Sequence, residues 1–458
     1  MQDWSKSKVT ILGLGKSGMA TARYLAGKGA RIFVSEAAAP NADNKKQAAE
    51  LEKLGIKVEL GEHSQNAIAF GDFLVTSPGI KPHSEVIVAA KALGKEVICD
   101  VELAFRETRT PMIAVTGTNG KSTTTALVSF ILEKSGRVAP ACGNIGVPVL
   151  SQLEKKPDFL VVEVSSYQLH YCANLAPYIG VWLNLTPDHL DWHGGLDQYV
   201  QAKEKLFENQ RVDQFAVLNM DDPTIAQFTP RAEIFPFSVK SELEYCVQAA
   251  FMKEDYLAYR KTGRTRLVCQ AEELNILGRH NLENALAAMS VAAIVGVEPI
   301  EIELFLKEFK GLEHRLEYVA TINGVAYYND SKATNTDSAI KALEAFPKDK
   351  VVLIAGGRDK GTDLGDFVHA VKNYASAVIL IGEAKERFDQ ALREGGVENI
   401  YQAGSMEEAV AMGEKLNLGP VLLSPACASF DMFKDFEDRG RVFKDIVRAR
   451  LEKVAPSV

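Results

Sequence analysis

Met112-Ile113-Ala114-Val115-Thr116-Gly117-Thr118-Asn119-Gly120-Lys121-Ser122-Thr123 is the stretch on which the reading of this chain depends. Five residues with the apolar, β-branched character of a buried strand run into two glycines, an asparagine, a lysine and three hydroxyl residues. Leu127, Phe130 and Ile131 then recur at helical spacing. A strand, a glycine-rich turn and a helix in that order make a phosphate cradle. Backbone N–H groups and the helix dipole hold phosphate oxygens, Lys121 reaches the terminal phosphates, and the Ser122 hydroxyl is placed to coordinate Mg²⁺. Val115 stands where the common G-x-x-x-x-G-K-[ST] form has its first glycine, so the loop is the shorter G-x-x-G-K-[ST]-[ST].

On either side the same alternation continues. Upstream, Val9–Leu12, Arg31–Val34, Lys57–Leu60 and Phe73–Thr76 read as strands, with a helix-like run at Met19–Ala26. Downstream come Phe159–Val164, Ile179–Leu185 and Phe215–Leu218, then Val325–Tyr328, Val351–Ala355, Ala377–Ile381 and Val421–Leu423. Strands separated by helices predict parallel sheets covered on both faces. The expected architecture is α/β with three domains in series: a Rossmann-like domain over 1–108, a P-loop ATPase-like domain over 109–311 and a second Rossmann-like domain over 312–458. The polar stretch 231–273 reads as a strand-rich excursion with no further assignment.

Bulk properties narrow the function. Across 458 residues, 47% are apolar and 24% charged, as in ordinary globular proteins. The net charge of −8 is spread without a basic block, which argues against nucleic acid as a partner. No apolar run approaches the ~20 residues of a membrane helix, and no leader-like segment precedes Val9. Six cysteines without CxxC spacing predict buried free thiols in a reducing compartment. The expectation is a cytoplasmic monomer.

Other motifs carry chemistry. Gly13-x-Gly15-x-x-Gly18 follows a strand and opens a helix, with Glu36 ending the next strand, so a nucleotide or diphosphate is expected there. NAD is one such ligand, and a structural turn is the alternative. Glu163 ends the strand after the phosphate loop, where a carboxylate can hold Mg²⁺. His189, in Thr186-Pro187-Asp188-His189-Leu190-Asp191, is a possible metal ligand or an ordinary loop histidine. Lys203 sits in the helix-like run Gln198–Glu208 with Tyr199, Leu206 and Phe207 on its face. It therefore points inward and is paired, neutral or modified, or it is a snorkelling lysine at the edge of the core. His314-Arg315, Asn329–Asn335 and Ser424–Asp431 place polar clusters at strand ends or at the start of the third segment.

Together TGTNGKST (116–123), EVSSYQL (163–169), TPDHLDWHG (186–194), YVQAKEKLFE (199–208), HNLENALAA (280–288), GLEHRLE (311–317), NDSKATN (329–335) and SPACASFDMFKDFEDRG (424–440) resemble the Mur ligases of peptidoglycan synthesis, over nearly the whole chain. GLGKSG (13–18), SPGI (77–80) and the SPACAS segment resemble the branch whose amine is D-glutamate. The resemblance implies an ATP-dependent, ADP-forming carboxylate–amine ligase acting through an acyl phosphate in cell-wall growth. Its substrates would be UDP-N-acetylmuramoyl-L-alanine and D-glutamate. It implies ATP and two Mg²⁺ ions held by Ser122, Glu163, His189 and Lys203, the lysine being carbamylated by CO₂.

Gly117, Thr118, Asn119, Gly120, Lys121, Ser122 and Thr123 would bind the ATP phosphates. Asn281 and Asn284 would approach the adenine end, and Arg315, Asp330 and Lys332 would also contact ATP. Gly15, Lys16, Ser17, Glu36, Gly79, Asn144, Ser165 and His189 would serve the sugar nucleotide. Thr334, Lys360, Ser429, Phe430 and Phe436 would lie near D-glutamate, as would His314. Lys121, Lys203 and His189 would act at the reacting centre. His314 and Asp330 are both candidates for accepting the amine proton. Ser35-Glu36-Ala37 lacks an arginine that some relatives carry nearby, which leaves the uracil contacts unassigned. Three domains imply a closure step. Competing readings are another Mur-type or folylpolyglutamate-type ligase, an NAD-dependent oxidoreductase resting on the glycine turn alone, and an idle nucleotide-binding regulator.

Overall fold

The computed structural model describes residues 3–359 and 361–454. Lys360, an expected D-glutamate contact, lies outside the described residues. Three sheets organise the chain. The first has five parallel strands in the order Lys57–Leu60, Arg31–Glu36, Lys8–Leu12, Phe73–Thr76, Val97–Ile98. The order reverses beside Lys8–Leu12, and a crevice opens at such a switch point, at the carboxyl ends of the strands. The glycine turn leaves from that strand.

The second sheet has nine strands. Met112–Thr116, fully buried, has Ile179–Trp182 on one side and Leu160–Glu163 on the other, both parallel. Phe215–Asn219 and Glu233–Ser238 extend it in parallel. The excursion over 231–273 departs from the alternating pattern: Ala249–Lys253, Tyr256–Lys261 and Arg264–Gln270 close the sheet as an antiparallel meander. Short turns between these strands leave no room for the helical crossover a parallel pairing needs.

Contacts group the chain into two compact units. One holds residues 1–273 and 282–307, with the first two sheets. The other holds 274–281 and 308–458, with the third. The third sheet runs Glu317–Ile322, Val325–Asn329, Val421–Leu423, Val351–Gly356, Ala375–Ile381, Ile400–Gln402. Only Glu317–Ile322 is antiparallel, as the first arm of a hairpin closed at Asn323-Gly324. Five cysteines are buried as expected, while Cys246 is only half-buried because it sits in the loop before the meander.

Candidate active site

The phosphate loop has the geometry its sequence predicts. Gly120 adopts φ +81°, ψ −14° and caps the helix Lys121–Lys134. A Cβ there would lie 2.3 Å from Asn284 Oδ1, so only glycine fits. The loop is knit from outside by a residue the motif does not contain. Asn184 Oδ1 accepts from the N–H groups of Thr118 (3.1 Å) and Asn119 (2.8 Å), and Asn184 Nδ2 donates to Asn119 O (3.2 Å). The Thr118 hydroxyl lies 2.9 Å from Tyr199 Oη, donates to Thr186 O (3.1 Å) and accepts from Thr186 N–H (3.0 Å). Thr118 thus shapes the loop through both its amide and its hydroxyl. The first-turn amides of the helix remain as the anion-facing donors. Asn284 Oδ1 accepts from buried Thr124 Oγ1 (3.1 Å) beneath the loop. Asn281, earlier on the same helix (Arg279–Ile294), donates to Leu277 O (2.6 Å).

Lys203 is brought directly under this loop. Its helix, Leu196–Glu208, buries Tyr199, Ala202, Leu206 and Phe207. Phe207 packs against Trp182 and Phe228, and Gly180 leaves room for its ring. Truncating such an aromatic would cost about 3–5 kcal/mol, which is the anchor that fixes the lysine. Lys203 is 1% exposed, and its Nζ donates to Gly117 O at 2.8 Å. Lys121 Nζ reaches the same oxygen at 2.9 Å and Thr118 O at 2.8 Å. Burial, reinforced by the Lys121 charge, holds the Lys203 amine well below the ordinary lysine range. The snorkelling alternative fails, because the amine ends inside. Lys205, on the next face, is only half-buried and donates to His170 O.

Glu163 is 2% exposed at the end of the neighbouring strand. Oε1 accepts from Asn144 Nδ2 at 2.8 Å, whereas buried Oε2 has no hydrogen-bond partner among the described residues. An unpartnered carboxylate oxygen beside a phosphate loop fits a hard cation. Ser122 is half-buried in the first turn of the adjoining helix. His189 is half-exposed in the left-handed region (φ 55°), with Nε2 3.3 Å from Asp188 Oδ2 and its ring 4.8 Å from that of Tyr167. Among the described residues no three His, Cys, Asp or Glu side chains form a ready metal cage. His193, which carried no sequence signal, lies 2.9 Å from Ser166 Oγ; burial and then the Lys203 charge lower it to about 4.

Asn144 also belongs to a cavity of about 350 Å³ that joins the first two sheets, where Gly15, Lys16 and Ser17 face Ser77, Asn144 and Gln168. A Cβ on Gly15 would meet nothing within 4 Å, so the backbone is open to a ligand. Three expected substrate contacts have the following surroundings. Glu36 accepts from Leu14 N–H and Ala38 N–H, each at 2.8 Å, so its carboxylate shapes the turn. Ser165 is consumed in a capping box with Gln168, and it is Gln168 that reaches the cavity. Gly79 is exposed outside the cavity lining.

The second unit holds its own cluster. Asp330 is buried, accepting from Ser424 Oγ (2.8 Å) and Leu316 N–H (3.2 Å). Burial, against those hydrogen bonds and the Arg315 charge, raises its carboxyl to about 7. His314 is 3% exposed in the left-handed region (φ 64°), packed on Gly440. Its Nδ1 faces Asn329 Nδ2 at 2.9 Å. That nitrogen also donates to Glu317 Oε2, so it is a donor and Nδ1 accepts. Neutral His314 therefore carries its proton on buried Nε2 and has no free lone pair in this arrangement. Lys332 Nζ lies over the Phe436 ring at 5.8 Å. Arg315 and Phe430 are exposed, Thr334 is half-buried and Ser429 is buried. Arg439, fully buried, ties these loops together through Ser331 Oγ (2.9 Å), Ser331 O (2.8 Å) and Cys427 O (3.1 Å).

Comparison with known proteins agrees with this geometry. The Mur ligase MurD-like N-terminal domain matches residues 7–99, the Mur ligase middle domain 115–292, and the Mur ligase glutamate ligase domain 314–427. The UDP-N-acetylmuramoylalanine–D-glutamate ligase of Pelotomaculum thermopropionicum is 41% identical over 98% of each chain. The chain belongs to the Mur ligase family. The enzyme of the same name from Caldanaerobacter subterraneus is 42% identical over 96% of this chain and 98% of its own. Among solved structures, a UDP-N-acetylmuramate–alanine ligase from Thermotoga maritima shares the fold with TM-score 0.59 at 20% identity, covering 97% of this chain and 99% of its own. A pseudomurein peptide ligase type C from Methanothermus fervidus does so with TM-score 0.58 at 19% identity, covering 97% and 100%. This Mur ligase has, among its described residues, no helix long and apolar enough to cross a membrane.

Proposed function

We propose that the protein uses ATP to activate the carboxylate of UDP-N-acetylmuramoyl-L-alanine as an acyl phosphate and couples it to the amine of D-glutamate, acting in the cytoplasm in peptidoglycan precursor synthesis. One observation carries the reading. Asn144 lines the cavity at the glycine turn and donates to Glu163, whose other oxygen is, among the described residues, unpartnered next to the phosphate loop. A sugar nucleotide held at the turn would thus end where a phosphoryl donor is held.

Lys121 and the first-turn amides would bind the phosphates and neutralise charge as the phosphoryl group transfers. Glu163, Ser122, His189 and Lys203 as a carbamate would hold two Mg²⁺ ions, which supply further charge neutralisation when bound. The neutral amine is the form that takes up CO₂, and burial together with the Lys121 charge shifts Lys203 toward it. Arg315 and Lys332 would serve ATP, and Thr334, Ser429 and Phe436 D-glutamate. The NAD reading loses its acidic ribose partner, because both oxygens of Glu36 hold the turn. Phosphate release with ATP, Mg²⁺ and UDP-N-acetylmuramoyl-L-alanine tests the proposal. Release is expected with D-glutamate and at background with L-glutamate, L-alanine and L-lysine; a response to another amino acid alone would reassign the branch.

Asp330, not His314, is our candidate for the amine proton. A carboxylate near pH 7 is matched to that task, and it must be ionised to act. Turnover should therefore rise as pH increases through about 7. Asp330→Asn should lower kcat about 10²–10⁴-fold and flatten that limb. A variant that loses activity but keeps the limb would leave Asp330 a structural residue.

A further inference from the structure

Gln168 lines the cavity at the glycine turn, and its neighbours decide which amide atom it can offer there. Oε1 accepts from Ser165 N–H and from Ser165 Oγ, each at 3.1 Å. A backbone N–H can only donate, so the oxygen and nitrogen of the amide are assigned by that bond. Nε2 then donates to Asp100 Oδ1 at 3.1 Å, and its second N–H has no partner among the described residues. The carbonyl is spent and one proton is left. Toward the cavity Gln168 is a donor of a single hydrogen bond.

Asp100 makes that hold from 68 residues away. It opens the helix Asp100–Glu107, which follows the last strand of the first sheet, and it is 2% exposed. The first turn of a helix favours a carboxylate, and Oδ1 also accepts from Val101 N–H at 3.0 Å. Oδ2 is buried and has no hydrogen-bond partner among the described residues. Asp100 lines a narrow gap with Ser17 and Ser77, and both serines line the cavity as well. A carboxylate whose only task was to tie two helices together would have both oxygens satisfied, because a bare buried oxygen is costly. Asp100 instead backs the inner wall of the cavity.

We propose that Asp100 is a positioning residue for the sugar-nucleotide substrate: it holds the Gln168 amide so that one N–H is presented to an acceptor oxygen of the bound ligand. Asp100 touches no reacting atom and acts through Gln168. With Asp100 gone, Oε1 keeps Ser165 but Nε2 loses its anchor, and the donor is no longer aimed. The inference rests on the sugar-nucleotide reading above and adds the residue that sets the direction and polarity of this contact.

Calorimetric titration of the full chain with UDP-N-acetylmuramoyl-L-alanine, alongside kinetics, tests it. Asp100→Ala should weaken binding about tenfold, the scale of a lost hydrogen bond to a charged group. The KM for that substrate should rise in step while the KM for ATP stays unchanged. Asp100→Asn, whose amide oxygen can still accept from Gln168, should recover most of the loss. In a Gln168→Ala background, Asp100→Ala should add little, because the two side chains act as one unit. Additive losses overturn the proposal. So does a loss that asparagine does not recover, or one that falls equally on ATP, the mark of a packing role. A second measurement needs no variant. In wild-type protein carrying ¹⁵N-glutamine, one of the two Gln168 side-chain proton signals should shift when the sugar nucleotide is added, while the one bonded to Asp100 keeps its place. Two indifferent signals overturn the proposal as well. If the wild type binds no UDP-N-acetylmuramoyl-L-alanine at all, the sugar-nucleotide reading itself fails, and this inference with it.

Discussion

Replacing Lys203 by alanine is expected to lower kcat at least about 10²–10³-fold, the usual cost of removing one group that stabilises developing charge, while leaving the fold intact. The amine is buried beneath the phosphate loop and contacts a single carbonyl, Gly117 O. Alanine removes a group that is costly to bury as an ammonium, so the helix should not unpack. What is lost is a would-be anion. Formate or acetate should partly restore turnover by placing oxygens in the vacated space. Lys203→Arg should not, because a guanidinium stays charged and takes up no CO₂. Depleting wild-type solutions of CO₂ and bicarbonate should depress activity reversibly. Full activity in the arginine variant, or indifference of the alanine variant to carboxylates, would return Lys203 to a purely structural place.

The second large effect is expected at Lys121. Its Nζ lies across its own loop, on Gly117 O and Thr118 O, and would exchange these carbonyls for phosphate oxygens. Lys121→Ala should lower kcat/KM about 10²–10³-fold and weaken ATP binding, since a charge-assisted contact is lost. Titration with ADP separates the two contributions: a variant impaired in turnover but normal for ADP would place the lysine on the terminal phosphate. Near-normal turnover would remove the loop from the ATP site. Lys121 also contributes charge next to Lys203, so the double variant should be less than additive.

Most strands of all three sheets were legible because buried parallel strands are short apolar runs, and Lys121, Glu163 and Lys203 were legible because their positions relative to those runs break the pattern. Lys203 is the clearest case: helical spacing beside Tyr199, Leu206 and Phe207 required it to point inward, and it does. Antiparallel closure over Ala249–Gln270 was not legible, since a strand pattern gives no pairing direction. Nor were the residues that support the site through contacts distant in sequence. Asn184, His193, Gln168 and Arg439 carry no local signature; each matters through a partner many residues away. Thr118, Ser165 and His314 show contacts that local sequence did not announce. A hydroxyl or imidazole inside a motif reads as a ligand, yet here each is committed to a turn, a cap or the packing of a helix.

The hold of Asn184 on the phosphate loop has a thermodynamic consequence. Ordering one backbone residue costs roughly 1–2 kcal/mol of conformational entropy. With both loop amides bonded to Asn184 Oδ1 and Thr118 bridged to Tyr199 and Thr186, that cost is met when the domain folds. An arriving nucleotide meets a rigid receptor. Its association should carry little ordering entropy and only a small change in heat capacity, and its affinity should depend on contacts made to the phosphates rather than on shaping the protein around them.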